Sequence, residues 1–306
     1  MAQSRIRQNV FPVLAAFIWG TAFVAQSVCT DYVEPFTFNA VRGIIAFLVL
    51  LLVAYIFSKS AKKRGEAAAP KFSFKYLIIG GFICGTLLAA ASNLQQAALS
   101  TTSPGKAGFI TAMYVVLVPV FGIFLRKRAT FRVWISVMLS ALGLYLLCIK
   151  ESFSLAPGDS LLLLSAAFFA VHIFCIDYFV QRVDAVQLSC VQFLISGIWS
   201  AILMLIFESP SIDAIMLCIW PILYVSIFSS AVAYTLQILS MKGSDPTIVT
   251  ILLSLESVFS VVAGAVILGD QMQIKEYIGC VVMFAAVILA QLPPGTRRRK
   301  KNVLNS

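Results

Sequence analysis

Glu256 and Arg42 are ionisable side chains inside long apolar stretches. A charge at bilayer centre costs about 2.5–3.5 kcal/mol on insertion scales, so each implies a compensating role. Glu256 follows Pro246 by ten positions, about 15 Å into a helix that rises 1.5 Å per residue and so near mid-depth. A carboxyl there can bind a cationic group, exchange a proton, or accept hydrogen bonds from neighbouring helices. Arg42 stands about 9 Å into its stretch. It can meet a carboxylate, pair with Glu256, or snorkel and cap helix-end carbonyls. His172, the one histidine, falls near mid-depth and is either a proton carrier or a neutral, hydrogen-bonded core residue. Lys106 sits in a first helical turn, where the helix dipole opposes a cation. An anionic partner or an outward, solvated side chain would each account for it.

Uncharged polar groups extend this set. Asn93, Gln96 and Gln237 need partners at membrane depth, and Trp19, Tyr114 and Tyr234 offer flat apolar walls with a polar edge, which suits organic solutes. The candidate substrate-binding residues are therefore Trp19, Arg42, Asn93, Gln96, Tyr114, His172, Tyr234, Gln237 and Glu256. No catalytic residue, metal site or cofactor is expected. The cysteines, at Cys29, Cys84, Cys148, Cys175, Cys190, Cys218 and Cys280, are scattered and without CxxC or Cys/His spacing, and read as small packing residues.

The elements that must carry these groups are apolar blocks. Of the 306 residues 60% are hydrophobic and 12% charged, against about 25% charged in soluble domains. Ten blocks fall near 10–28, 37–57, 76–99, 104–125, 132–149, 159–179, 186–207, 215–237, 246–268 and 274–291. About 20 residues suffice to cross about 30 Å of hydrocarbon, so the expected fold is an all-α integral membrane protein with ten transmembrane helices. Arg5 and Arg7 before the first block resemble a signal peptide, but the partner of that block at 159–179 argues that it is retained. Ser103-Pro104 and Asp245-Pro246 are helix starts, the side chain capping free N–H groups while proline fits the first turn. Pro119 should bend its helix or free a carbonyl. Glycine and alanine at helical spacing, as in Gly81, Gly85 and Ala89, should let helix backbones approach closely.

The net charge of +10 is distributed by side rather than gathered into a nucleic-acid patch. With the N-terminus inside, nineteen Lys and Arg residues fall in cytoplasmic segments, and only Lys106, Lys150 and Lys275 fall outside. That is a strong positive-inside bias. Acidic residues lean outward, among them Asp31, Glu34, Asp159, Glu208, Asp270 and Glu276. The expected protein is multi-pass in the cell membrane with both termini cytoplasmic, and its basic tail rests on anionic headgroups.

The blocks also repeat. Residues 19–57 moved by 150 fall on 169–207 without a gap, matching Val33 to Val183, Val41 to Val191 and Ile45 to Ile195. Residues 94–128 moved by 142 match Leu94-Gln95 to Leu236-Gln237, Pro104 to Pro246 and Gly122 to Gly264. Five spans per unit force the two copies into opposite orientations, a ground plan of secondary transporters. The expected division is a first repeat at 1–150, a second, inverted one at 151–292 with its hinge at Lys150–Gly158, and a basic tail at 293–306. Alternating access by rocking one repeat against the other is the leading function; the alternative is a membrane-embedded lipid-modifying enzyme. Against enzyme chemistry, acidic residues are dispersed and no DxxD or HxxxH spacing occurs. No GxxxxGK[ST] suggests use of ATP. Expected partners are a small-molecule substrate and the lipid bilayer, without nucleic acid. Proton coupling through Glu256 or His172 is open, as is uncoupled passage, for a monomer or a homodimer.

Two runs carry a family resemblance. Ala98-Leu99-Ser100-Thr101-Thr102-Ser103-Pro104-Gly105-Lys106-Ala107-Gly108, continuing to Pro119, resembles the span 3–4 signature of the EamA-like branch of the drug/metabolite transporter superfamily. Leu255-Glu256-Ser257-Val258-Phe259 with Leu268-Gly269-Asp270 and Gly279 is similar to its span 9–10 signature. Ser257 stands where that family usually has proline, and Asp270 where it has glutamate. The resemblance implies two inverted five-helix repeats, with spans 1–4 and 6–9 around a central cavity and spans 5 and 10 peripheral. It also implies small metabolites as substrates, amino acids and their derivatives included.

Overall fold

The computed structural model describes residues 2–63, 73–102, 104–126, 129–148, 157–268 and 272–292. The basic tail, Ser103, Gly269-Asp270, most of the expected hinge and residues 64–72 lie outside the described residues. Within them the chain is helical, without strands. Nine helices are long and apolar enough to cross a membrane, and Phe131–Leu147 is a shorter apolar one.

Span 1 is Ala2–Cys29, span 2 Pro35–Lys63 and span 3 Phe74–Ala98. Span 4 joins Pro104–Ala112 to Tyr114–Phe124, and span 5 is Phe131–Cys148. Span 6 is Pro157–Val180, span 7 Ala185–Phe207 and span 8 Ile219–Met241. Span 9 is Pro246–Ile267 and span 10 Ile274–Gln291. Span 8 thus runs later than the 215–237 read from hydropathy. A separate short helix, Ile212–Leu217, started by the Ser211 side chain, takes up the apolar residues before it. At the far end Gly243 leaves the helix with φ 76°, a left-handed turn that glycine adopts without a Cβ penalty.

Helix starts follow local capping chemistry. Asp245 accepts from Thr247 N at 2.8 Å with Pro246 in the first turn, and Asp184 accepts from Val186 N and Gln187 N. Span 2 is capped from another helix. The Glu208 carboxylate, just past span 7, accepts from Phe36 N at 2.8 Å and from Thr37 N at 2.6 Å.

Spans 4 and 9 break at equivalent places, at Met113 and at Ser254-Leu255. Pro119 lies inside the continuous Tyr114–Phe124 helix, and Val261 occupies its equivalent in span 9, so proline alone does not make the break. In span 9 the Ser254 hydroxyl donates to Ile251 O at 2.8 Å, a side-chain bond that competes with the helix ladder.

The packing is unchanged in kind when the halves are exchanged. Span 2 crosses span 7 and span 5 crosses span 10; span 3 packs on spans 6 and 7, as span 8 does on spans 1 and 2; span 4 packs on span 6, as span 9 does on span 1. This is the architecture of two inverted five-helix repeats. The crossings are close because they carry no side chain. A Cβ on Gly43 would stand 2.8 Å from the Cα of Gly197, and one on Gly279 would stand 2.9 Å from Gly143 O. In span 3, Gly81 and Gly85 face Val191 and Ile195 of span 7 in the same way, as the small-residue spacing predicts.

Candidate functional site

Between the repeats lies a cavity with about 480 Å³ of unfilled space when its open mouth is counted. Its wall takes Trp19, Phe23 and Gln26 from span 1, Arg42 from span 2, and Gln95 from span 3. Thr111 and Tyr114 come from span 4, and Phe169 and Ile173 from span 6. Ser229, Tyr234 and Gln237 come from span 8, and Glu256 from span 9. Spans 5 and 10 contribute nothing to this wall; they pack against each other at Gly143 and Gly279.

Most of the wall is built from positions that the repeat relates. Trp19 and Phe169, and Phe23 and Ile173, are 150 residues apart, while Gln95 and Gln237, and Tyr114 and Glu256, are 142 apart. Tyr114 and Glu256 also touch: the tyrosine hydroxyl donates to Glu256 Oε1 at 2.9 Å, both residues being buried. A residue that bonds its own counterpart must lie close to the axis relating the halves. The two helix breaks put it there, since each pair member is the first residue after its break.

Arg42 departs from the symmetry, because its counterpart is Gln192. The residue is 5% exposed. Nε donates to Ser230 Oγ at 2.8 Å, and Nη1 donates to Gln26 Oε1 and Asn39 Oδ1, each at 3.3 Å. Its hydrogen-bond acceptors are thus neutral. Ser230 belongs to a π-helical stretch, Val225–Ala233, a form frequent at functional sites. Trp19 Nε1 donates to a carbonyl of that stretch, Ser229 O, at 3.1 Å. The indole packs edge-on against Tyr234, ring centroids 4.8 Å apart. The π segment therefore orients both an aromatic wall and the buried cation.

Six of the residues singled out from sequence meet here: Trp19, Arg42, Tyr114, Tyr234, Gln237 and Glu256. Asn93, Gln96 and His172 lie behind the wall. Gln96 Nε2 reaches Gln26 O at 3.4 Å. His172 is fully buried beside Tyr234, its Nε2 3.2 Å from Gln192 Oε1. Lys106 pairs with Asp159 of span 6 at 2.6 Å, which resolves its place in a first turn. The cavity presents Gln95 where sequence reading chose its neighbour Gln96. The repeat carried the missing signal, because Gln95 is the counterpart of Gln237 and Gln96 is not. Phe169 was legible by the same rule, as the counterpart of Trp19, whereas Phe23 and Ile173 pair only with each other. Gln26, Thr111 and Ser229 had no such signal.

The EamA-like transporter family matches residues 8–149 and again residues 156–292. The chain belongs to this family. An uncharacterized transporter of Archaeoglobus fulgidus is 28% identical over 293 residues, covering 94% of this chain and 87% of that protein. One of Synechocystis is 22% identical over 306 residues, covering 94% and 90%. The crystal structure of another protein shares the fold with a TM-score of 0.73, 18% identity and coverage of 93% of this chain and 96% of that one. This EamA-like chain is a multi-pass membrane transporter.

Proposed function

We propose that the protein carries a small zwitterionic, amino-acid-like metabolite across the cell membrane by alternating access. The observation that carries this reading is one cavity holding a buried guanidinium bonded to neutral acceptors and a buried carboxylate bonded to a tyrosine. A solute carboxylate satisfies Arg42, its ammonium satisfies Glu256, and Trp19, Tyr234 and Phe169 accept an apolar side chain. The repeats rock about the Tyr114–Glu256 contact, exposing the site to each side in turn. Glu256 or His172 can also exchange a proton during the cycle, coupling solute to proton movement. The unit is a monomer or a homodimer, and export is one direction that the cycle allows.

Purified protein in liposomes should exchange a labelled neutral amino acid for unlabelled amino acid inside. Arg42→Gln should lower that exchange at least about 30-fold, the scale of losing one partner of a buried charge pair. Wild-type exchange of the carboxamide at the same rate as the amino acid would sink the reading. For orientation, both termini and the 59–75 loop are proposed to face the cytoplasm. Reporter tags at the C-terminus and in that loop should then give the same accessibility, and tags on opposite faces would overturn the topology.

A further inference from the structure

Arg42 is held from outside the cavity by a directional chain of hydrogen bonds. Asn39 Nδ2 donates to the backbone carbonyl of Ser92 at 3.1 Å and to Asn93 Oδ1 at 3.0 Å. Asn93 Nδ2 in turn donates to Ser200 Oγ on span 7 at 2.9 Å. A backbone carbonyl can only accept, so it fixes which end of the Asn39 amide faces it. Asn39 Oδ1 is left pointing at Arg42 Nη1, 3.3 Å away and one helical turn on. All these side chains are buried. In hydrocarbon the chain has no water to replace any member that is lost.

The second repeat contains the same contact in a reduced form. The counterparts of Asn39 and Asn93 are Ser189 and Thr235, and they too are hydrogen-bonded, Thr235 Oγ1 to Ser189 Oγ at 3.0 Å. There the residue one turn on is Gln192 in place of Arg42. A pair of hydroxyls therefore suffices to join span 7 to span 8, and packing alone does not call for two amides between spans 2 and 3. What the amides add is an acceptor of fixed direction beside a charge.

We infer that Asn39, Asn93 and Ser200 are positioning residues that aim the Arg42 guanidinium at the anionic group of the transported solute, and so set its preference for carboxylates. The inference rests on the amino-acid-like reading of the cavity. It makes span 7, which contributes no wall residue, a determinant of selectivity.

The test is binding of phenylalanine and leucine, each against its own carboxamide, to the purified full chain. Wild type should prefer the carboxylate. The double variant Asn39→Ser with Asn93→Thr installs the pair used by the second repeat, so the helices keep a bond. Its carboxylate-to-carboxamide preference should fall about tenfold, the scale of one charge-assisted hydrogen bond, with carboxamide affinity unchanged. Ser200→Ala should lower the preference in part, and Ser200→Thr should restore it. A double variant that binds carboxamide normally and keeps the wild-type preference overturns the positioning role alone. Equal loss of both probes makes the relay structural and also overturns it. A wild type with no preference overturns the zwitterion reading and this inference with it.

Discussion

Glu256→Gln is expected to abolish exchange, lowering the initial rate about 100-fold, while the protein folds and melts as wild type does. The amide oxygen keeps the acceptor for Tyr114, whose hydroxyl lies 2.9 Å from Glu256 Oε1, so the contact near the axis survives in shape. What disappears is the ionisable group proposed to pair with the solute ammonium. Removing one partner of a buried, hydrogen-bonded charge pair costs about 2–5 kcal/mol, and each 1.4 kcal/mol is about tenfold, which places the loss near 100-fold. The comparison needs two measurements on one preparation, a melting curve in detergent and amino-acid exchange in liposomes. Wild-type exchange by Glu256→Gln would remove the carboxylate from the mechanism and leave it a structural acceptor.

Gly20→Ala should damage both stability and transport. Span 1 passes span 9 at this residue. An added Cβ would fall 2.5 Å from the Cβ of Phe259, 2.7 Å from Glu256 O and 2.7 Å from Ser260 N. Two of these atoms are backbone, so the helices must separate. Overpacking of this kind costs about 1–3 kcal/mol, and here the displaced segment carries Glu256. Gly108→Ala is the matched control, since its Cβ would meet nothing nearer than Ser257 Oγ at 4.0 Å. Gly20→Ala should lower the melting temperature and the exchange rate together, with Gly108→Ala near wild type in both. Equal behaviour of the two variants would contradict the tight span 1–span 9 contact.

Trp19 and Phe169 show how far a cavity can be read from one dimension. Each sits at the repeat offset of 150 from the other, and both face the unfilled space. The offsets of 150 and 142 give span order, inversion and most of the wall by pairing, once a single member is known. Glu256 and Arg42 stood out because a charge among apolar residues is costly and therefore visible. His172 stood out for its chemistry alone, and chemistry does not say which side of span 6 it faces.

Hydropathy and charge accumulate along about 20 residues, so the amino-acid order by itself determined the spans, the two copies and the small set of polar groups inside them. Rotation of each helix about its axis leaves no such trace, because lipid and protein interior are alike apolar and a span carries little contrast between its faces. Adjacent residues point about 100° apart, and that angle alone separates Gln95 on the wall from Gln96 behind it. Only tertiary packing brought Lys106 to Asp159, Tyr114 to Glu256 and Asn39 to Asn93. Each of these contacts joins groups whose positions depend on how separate helices settle against one another.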